Sequence, residues 1–205
     1  MAKQERAVRT RETLIRCAAE TFDREGFTVA SLTTISTQAG VSNGALHFHF
    51  ASKAALADAV EDVALLRLRA VTGKASPDGS SHLQHLVDVT HGLTRELLGD
   101  TVLRAGFKLS GDPARPCRTD LRGYWQGWVE QVVARAVAEG ELHPEAAPEG
   151  AVTAVVGATV GFEVLGAQDA SWLEPRTVTR FLELLLPSLA AQELRKEIRA
   201  EGTGQ

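Results

Sequence analysis

The sequence predicts an all-α fold of about nine or ten helices, and three observations carry that prediction. Apolar residues recur at intervals of three and four through most of the chain, the period of an amphipathic helix. Breaker residues gather into short stretches, GKASPDGSS (73–81), GDPARPCR (111–118) and ELHPEAAPEG (141–150), with helical patterns between them. One Tyr and seven Pro in 205 residues argue against a β-sandwich, and no convincing strand pattern or internal repeat is visible.

The elements follow in order. Residues from about Ala7 to Glu25 carry Leu14, Ile15, Ala18, Ala19 and Phe22 on one stripe, with Gly26 as a natural C-cap. A short second helix follows, capped by Ser31 or Thr33, with Leu32, Ile35 and Ala39 inward and Gly40 at its end. Ser42 caps a third helix through Phe48. Leu46 and Phe50, four apart, pack back onto the first two helices, which frees Asn43, Ala45, His47 and His49 to face outward. Three helices in so short a span, the last two joined by a turn with Gly, form a helix-turn-helix.

A fourth helix starts at Ser52 and runs to about Thr72, with Leu56, Val60, Val63 and Leu65 or Leu66 as its buried side. After the 73–81 loop come helical patterns over 81–98, with Leu83, Leu86, Val87 and Leu93 apolar, and over 101–110, with Val102, Leu103 and Phe107. Residues of about 119–139 carry Leu121, Tyr124, Trp125, Trp128, Val132 and Val133. Ala151 to Ala167 is apolar and rich in small residues. Pro175 to about Glu201 forms one or two helices, with Pro187 a kink or junction.

Composition excludes several classes of function. The net charge of −4 hides an asymmetry: residues 1–53 hold seven basic and five acidic side chains, and the remainder 15 basic and 21 acidic. A mildly basic head on an acidic body fits a polyanion-binding domain carried by a domain with another task. Too little positive charge argues against a non-specific architectural DNA binder. Cys17 and Cys117 lie 100 residues apart in no metal-like spacing and read as reduced thiols. No signal-like region follows Met1 and no apolar run approaches the ~18 residues that span a bilayer, so the expected location is the cytoplasm and no membrane is expected as a partner. The chain lacks G-x-S-x-G, a P-loop, G-x-G-x-x-G and H-E-x-x-H, so no enzyme and no catalytic residue is expected. Cys117 between Arg115 and Arg118 is the nearest thing to a reactive group. His82, His85 and His91, or His47 and His49, are the weak alternative for a metal sensor; no metal site and no cofactor is expected.

The stretch LTTISTQAGVSNGALHFHFASKAALADAV resembles the N-terminal signature of TetR-type transcriptional regulators, LT-x-I-A-x-x-AGV-[ST]-x-G-x-LY-x-[HY]-F-x-[SN]-K-x-x-L, densely over residues 32–56 and loosely over 5–60. MAKQERAVRTRETLI, GALHFHF and VLRAGFKLS (102–110) are similar to one branch, the γ-butyrolactone receptors and pseudo-receptors, which control antibiotic production in filamentous soil bacteria. The sequence departs from that pattern at His47 (usually Tyr), Asn43 (often Lys) and Ser36 (usually Ala). Ala158 stands where several true receptors have Thr.

The resemblance implies a helix-turn-helix DNA-binding domain at 1–52 and a helical ligand-binding and dimerisation domain at 53–205. Ser42, Asn43, Gly44 and Ala45 would reach base edges in the major groove, Asn43 pairing bidentately with adenine and Ala45 touching a thymine methyl. His47 and Lys53 would contact phosphates, with Thr33, His49, Arg6 and Arg9 as further contacts. A homodimer would read a near-palindromic double-stranded operator, its interface drawn from the Ala151–Ala167 helix, the last apolar helix, or both. Trp128 sits where the branch has a Trp beside the ligand. With Phe107, Leu109, Trp125, Val156, Ala158, Phe162 and Val164 it would line a pocket for a small apolar ligand, γ-butyrolactone-like or an antibiotic. Ligand binding would shift the fourth helix and release the operator, relieving repression of secondary metabolism. The pseudo-receptor, which answers to other ligands, stays open as the alternative.

Overall fold

The structure, a computed structural model, describes residues 2–74, 81–116 and 118–204. Most of the expected 73–81 loop, and Cys117, lie outside the described residues. Among those described the chain is helical, with nine α-helices, two short 3-10 turns and a single isolated bridge pair, and it divides into two compact units.

The first unit is Met1–Leu68 with Asp100–Leu121. It contains α1 (Ala2–Val29), α2 (Leu32–Gln38), α3 (Asn43–His49), most of α4 (Lys53–Thr72) and, from further along the chain, α6 (Thr101–Ser110). Helical hydrogen bonding resumes beyond Gly26, but that residue has φ 78°, a left-handed value that breaks α1 where the C-cap was expected. α6 packs along α1, tied by Arg104 Nε to Asp23 Oδ2 at 3.1 Å and Lys108 Nζ to the Asp23 carbonyl at 2.7 Å. Asp100 caps α6, accepting from Val102 N at 2.8 Å and Leu103 N at 3.1 Å. Ser52 caps α4 through Ala55 N at 3.1 Å.

The buried stripe of α4 differs from the expected one. Leu56, Val60, Ala64 and Leu68 face the core, whereas Val63 and Leu65 are half-buried and Leu66 is 62% exposed. Glu61 is fully buried instead. Its partner is Arg115, from the 111–118 loop, whose guanidinium reaches Glu61 Oε1 and Asp58 Oδ1, each at 2.5 Å, and lies over the Phe27 ring. Burial pushes the Glu61 carboxyl up, against the opposing pull of the Arg115 hydrogen bond and charge.

The second unit is Arg69–Gly99 with Arg122–Gln205. It holds α5 (His82–Gly99), α7 (Leu121–Ala138, from Arg122), α8 (Pro148–Gly166) and α9 (Pro175–Leu189). Leu83, Ala136, Ala151, Leu189 and Ala190 form one core cluster. Glu141 places its carboxylate at the start of α5, accepting from His82 N at 2.8 Å and Leu83 N at 2.9 Å. α9 continues through Pro187 and stops two residues later; a 3-10 turn, Leu194–Lys196, follows where more helix was expected. The chain end is strapped to α5 by Arg199 N to Gln84 Oε1 at 2.7 Å and Thr203 N to Asp88 Oδ1 at 2.7 Å.

α8 corrects one expectation. Its 19 residues are long and apolar enough to cross a membrane by length and composition. Gly, Ala and Thr interleave with its Val residues, so no unbroken run of large apolar side chains marks it in the sequence. Only 22% of its most apolar window is buried within the chain.

Candidate functional site

The α2–turn–α3 segment is built by local rules. Ser31 caps α2 by accepting from Thr33 N at 3.2 Å. Ala39 N returns to Ile35 O at 2.9 Å, and Gly40, at φ 67°, turns the chain through a conformation that disfavours any Cβ. Ser42 caps α3, accepting from Ala45 N at 3.1 Å. Leu46 and Phe50 are buried, which fixes the rotation of α3 and leaves Ser42, Asn43, Gly44 and His47 exposed and Ala45 and His49 half-buried. Thr33 is exposed on α2, as are Arg6 and Arg9 on α1. A Cβ at Gly44 would meet only Ser42 Oγ, at 3.9 Å, so nothing within this chain requires glycine there.

Two side chains depart from the simple outward-facing picture. Lys53 turns back: its Nζ donates to Thr28 O at 3.1 Å and Ala30 O at 2.9 Å and sits 4.7 Å from the Phe27 ring centre. Two of its three ammonium hydrogens are thereby committed to the end of α1, leaving one for an anion. Asn43 is approached by Ser36 of α2, whose Oγ lies 2.6 Å from Asn43 Oδ1.

One surface residue went unread in the sequence. Phe48 is 82% exposed, edge-on to His49 at 5.2 Å between ring centres. The signal was present in HFHF: if Leu46 and Phe50 point inward, helical spacing turns position 48 away from them. An aromatic ring so exposed, next along the chain to His47, leaves an apolar group on the outer side of α3.

The residues expected to hold a ligand fall in both units. Phe107 and Leu109 are buried on α6 in the first. In the second, the Trp125 and Trp128 indoles stack at 5.1 Å with 17° between planes, and His85 meets Trp128 edge-on at 5.5 Å. Trp125 Nε1 donates to Thr159 Oγ1 at 2.8 Å, so the costly buried indole N–H has a partner one residue beyond Ala158. That hydroxyl in turn reaches Val155 O at 2.8 Å. Phe162, buried on α8, contacts Phe181 edge-on at 5.8 Å; Val156 and Ala158 are half-buried. Val164 is exposed and does not join the aromatic group. Burial lowers the His85 pKa, aided by the charges of His82 and Arg135 and opposed by Asp88.

The groups considered for other chemistry have structural partners. His91 Nε2 lies 2.8 Å from Ala200 O, and the Arg115 guanidinium is held by Asp58 and Glu61. Burial pushes the Cys17 thiol up, away from reactivity. Among the described residues no group of three or more His, Cys, Asp or Glu is placed to hold a metal ion.

A capped two-helix turn exposing polar residues, among described residues that are helical throughout their regular structure, is a helix-turn-helix. The profile of the bacterial regulatory proteins of the TetR family matches residues 14–60. The A-factor receptor protein of Streptomyces griseus is 40% identical over 110 residues, which span 54% of this chain and 38% of that protein's length. A crystal structure of a γ-butyrolactone receptor (ArpA-like protein) superposes with a TM-score of 0.83 at 28% identity, covering 96% of this chain and 98% of the other. The TetR family protein CprB from Streptomyces coelicolor, solved in complex with its operator, gives 0.79 at 30% identity over 94% of both chains. The chain belongs to the TetR family of bacterial regulatory proteins.

Proposed function

We propose that the chain is a cytoplasmic, homodimeric repressor that reads a near-palindromic operator with residues 1–52 and is released from it by a small apolar ligand sensed within 53–205. The observation that carries the DNA reading is the rotation of α3: Leu46 and Phe50 bury one side and turn Ser42, Asn43, Gly44 and His47 toward a partner. With Phe48 also exposed on α3, the helix offers hydrogen-bonding and apolar groups to a major groove. Arg6, Arg9, Thr33, His49 and the remaining Lys53 hydrogen supply phosphate contacts that set register.

Dimerisation is supported by the faces of α8 and α9. Val164, Leu165 and Leu184 are exposed, and a Cβ at Gly157 or Gly161 would meet nothing within 4 Å. A second copy laid against them would cover apolar area and approach closely at the glycines, forming a four-helix bundle. Trp125, Trp128, Phe162, Val156 and Ala158 of the second unit remain the candidates for ligand contact, and Phe107 and Leu109 are separate candidates in the first. A γ-butyrolactone-like molecule is the first choice, because the receptor structure that superposes at a TM-score of 0.83 carries that description. One observation favours the pseudo-receptor reading: Ala158 has no hydroxyl, and that of Thr159 is already engaged by Trp125.

The test is selection of bound duplexes from a random pool, followed by release assays with lactones and antibiotics. A palindromic consensus bound by a dimer is expected. Trp128→Ala should keep operator affinity within about twofold and lose release by the active compound. Full release from that variant would remove Trp128 from the ligand site, and enrichment of no duplex would overturn the DNA reading.

A further inference from the structure

One departure from the signature, a serine at position 36, contacts Asn43 directly. Ser36 sits on α2, 3% exposed, under the turn that leads into α3. Its Oγ lies 2.6 Å from Asn43 Oδ1 and 3.0 Å from the Thr33 carbonyl. A serine hydroxyl has one proton to donate. The amide oxygen faces the serine, and at 2.6 Å against 3.0 Å for the Thr33 carbonyl it is the nearer acceptor for that one proton. An alanine in place of this serine would leave the amide free to turn about its last torsion, whose energy profile is broad.

We propose that Ser36 is a positioning residue for operator specificity: it holds the Asn43 oxygen against α2, so that Asn43 presents its NH2 group to the groove. This rests on the reading of α3 as the DNA-contacting helix. The consequence concerns base choice. Bidentate recognition of adenine needs the amide oxygen and nitrogen side by side, one accepting from N6 and one donating to N7. With the oxygen held inward only donors remain. Guanine offers two acceptors, O6 and N7, at the same groove edge, and adenine answers one of them with its own N6 donor. Asn43 in this chain therefore selects guanine over adenine at the pair it touches, where a free asparagine would do the reverse.

The experiment uses the full-length protein, its Ser36→Ala, Ser36→Cys and Asn43→Ala variants, and the Ser36→Ala/Asn43→Ala pair. Each is taken through the same random-duplex selection and then titrated with duplexes differing at one base pair, with thermal melting as the check on folding. Wild type should favour guanine at the pair sensitive to Asn43. Ser36→Ala should move that preference toward adenine by about fivefold or more, and Ser36→Cys, a weak donor of similar volume, should follow it. In the Asn43→Ala background, loss of the serine hydroxyl should change neither preference nor affinity by more than about twofold. An unchanged preference in Ser36→Ala, or a uniform loss of affinity that persists without Asn43, overturns the assignment while leaving DNA binding intact. Failure of wild type to enrich any duplex overturns the DNA reading and this assignment together.

Discussion

Gly106 allows a sharp test of how the first unit is packed. It lies on α6 against Ala64 of α4, where an added Cβ would fall 2.2 Å from the Ala64 Cβ and 3.3 Å from Leu121 Cδ2. Carbon atoms in good contact sit about 3.5–4.0 Å apart, so Gly106→Ala must part the two helices by roughly 1.5 Å. Two effects oppose each other. Alanine is favoured over glycine in a helix interior by about 1 kcal/mol. Overpacking costs about 1–3 kcal/mol, and the upper end applies because the Ala64 methyl is fixed to backbone and has no rotamer to retreat into. The clash wins, leaving a net loss of about 2 kcal/mol, or a fall in Tm of about 4–8 °C for a chain of this size. The assay is thermal unfolding followed by circular dichroism, with Ala64→Gly as the second arm. That change alone should destabilise by about 1 kcal/mol, yet added to Gly106→Ala it restores the space and should bring Tm back toward wild type. A Gly106→Ala protein melting at or above wild type, or a double variant worse than both singles, would refute close α4–α6 contact at this point.

The buried ion cluster and the aromatic group make two further predictions, both concerning pH. Arg115→Met leaves Glu61 buried with its charge unpaired and should destabilise by about 3–5 kcal/mol near neutral pH in urea titrations. The folded pKa of Glu61 is raised, chiefly by burial, so its favourable contribution lies below the unfolded value and is lost as pH rises through the folded one. The Arg115→Met penalty should therefore shrink between about pH 7.5 and about pH 5.5, and a penalty independent of pH would contradict it. His85 has the opposite sign: its folded pKa is lowered, so its stability contribution is present above about pH 6.5 and lost as pH falls. Wild type should lose Tm more steeply than His85→Phe on acidification, and parallel curves would show that burial of His85 does not matter.

What was legible in the sequence and what was not divides along one physical line. Caps, turns and helix periods are set by residues within four or five of one another. Ser31, Ser42, Ser52, Gly26 and Gly40 accordingly do the work their spacing implied, and α6 spans the stretch its pattern marked. The rotation of a longer helix is set by partners far along the chain. On α4 the local pattern favoured Val63 and Leu66, but Arg115, 54 residues beyond Glu61, satisfies that carboxylate and so lets Glu61 take a buried position that composition alone would deny it. Lys53 follows the same logic at the head. In sequence it is a free cation, and only the fold shows that two of its three hydrogens go to the open carbonyls of Thr28 and Ala30, leaving one for an anion. Asn43 is the case with most consequence for function. Its type suggests adenine, and only the fold brings a serine from the preceding helix to its oxygen. If α3 reads the operator as proposed, side-chain identity along it is an incomplete code: the hydrogen-bonding sense of the Asn43 contact also depends on Ser36 of α2, and relatives that agree at position 43 but differ at position 36 should prefer different bases.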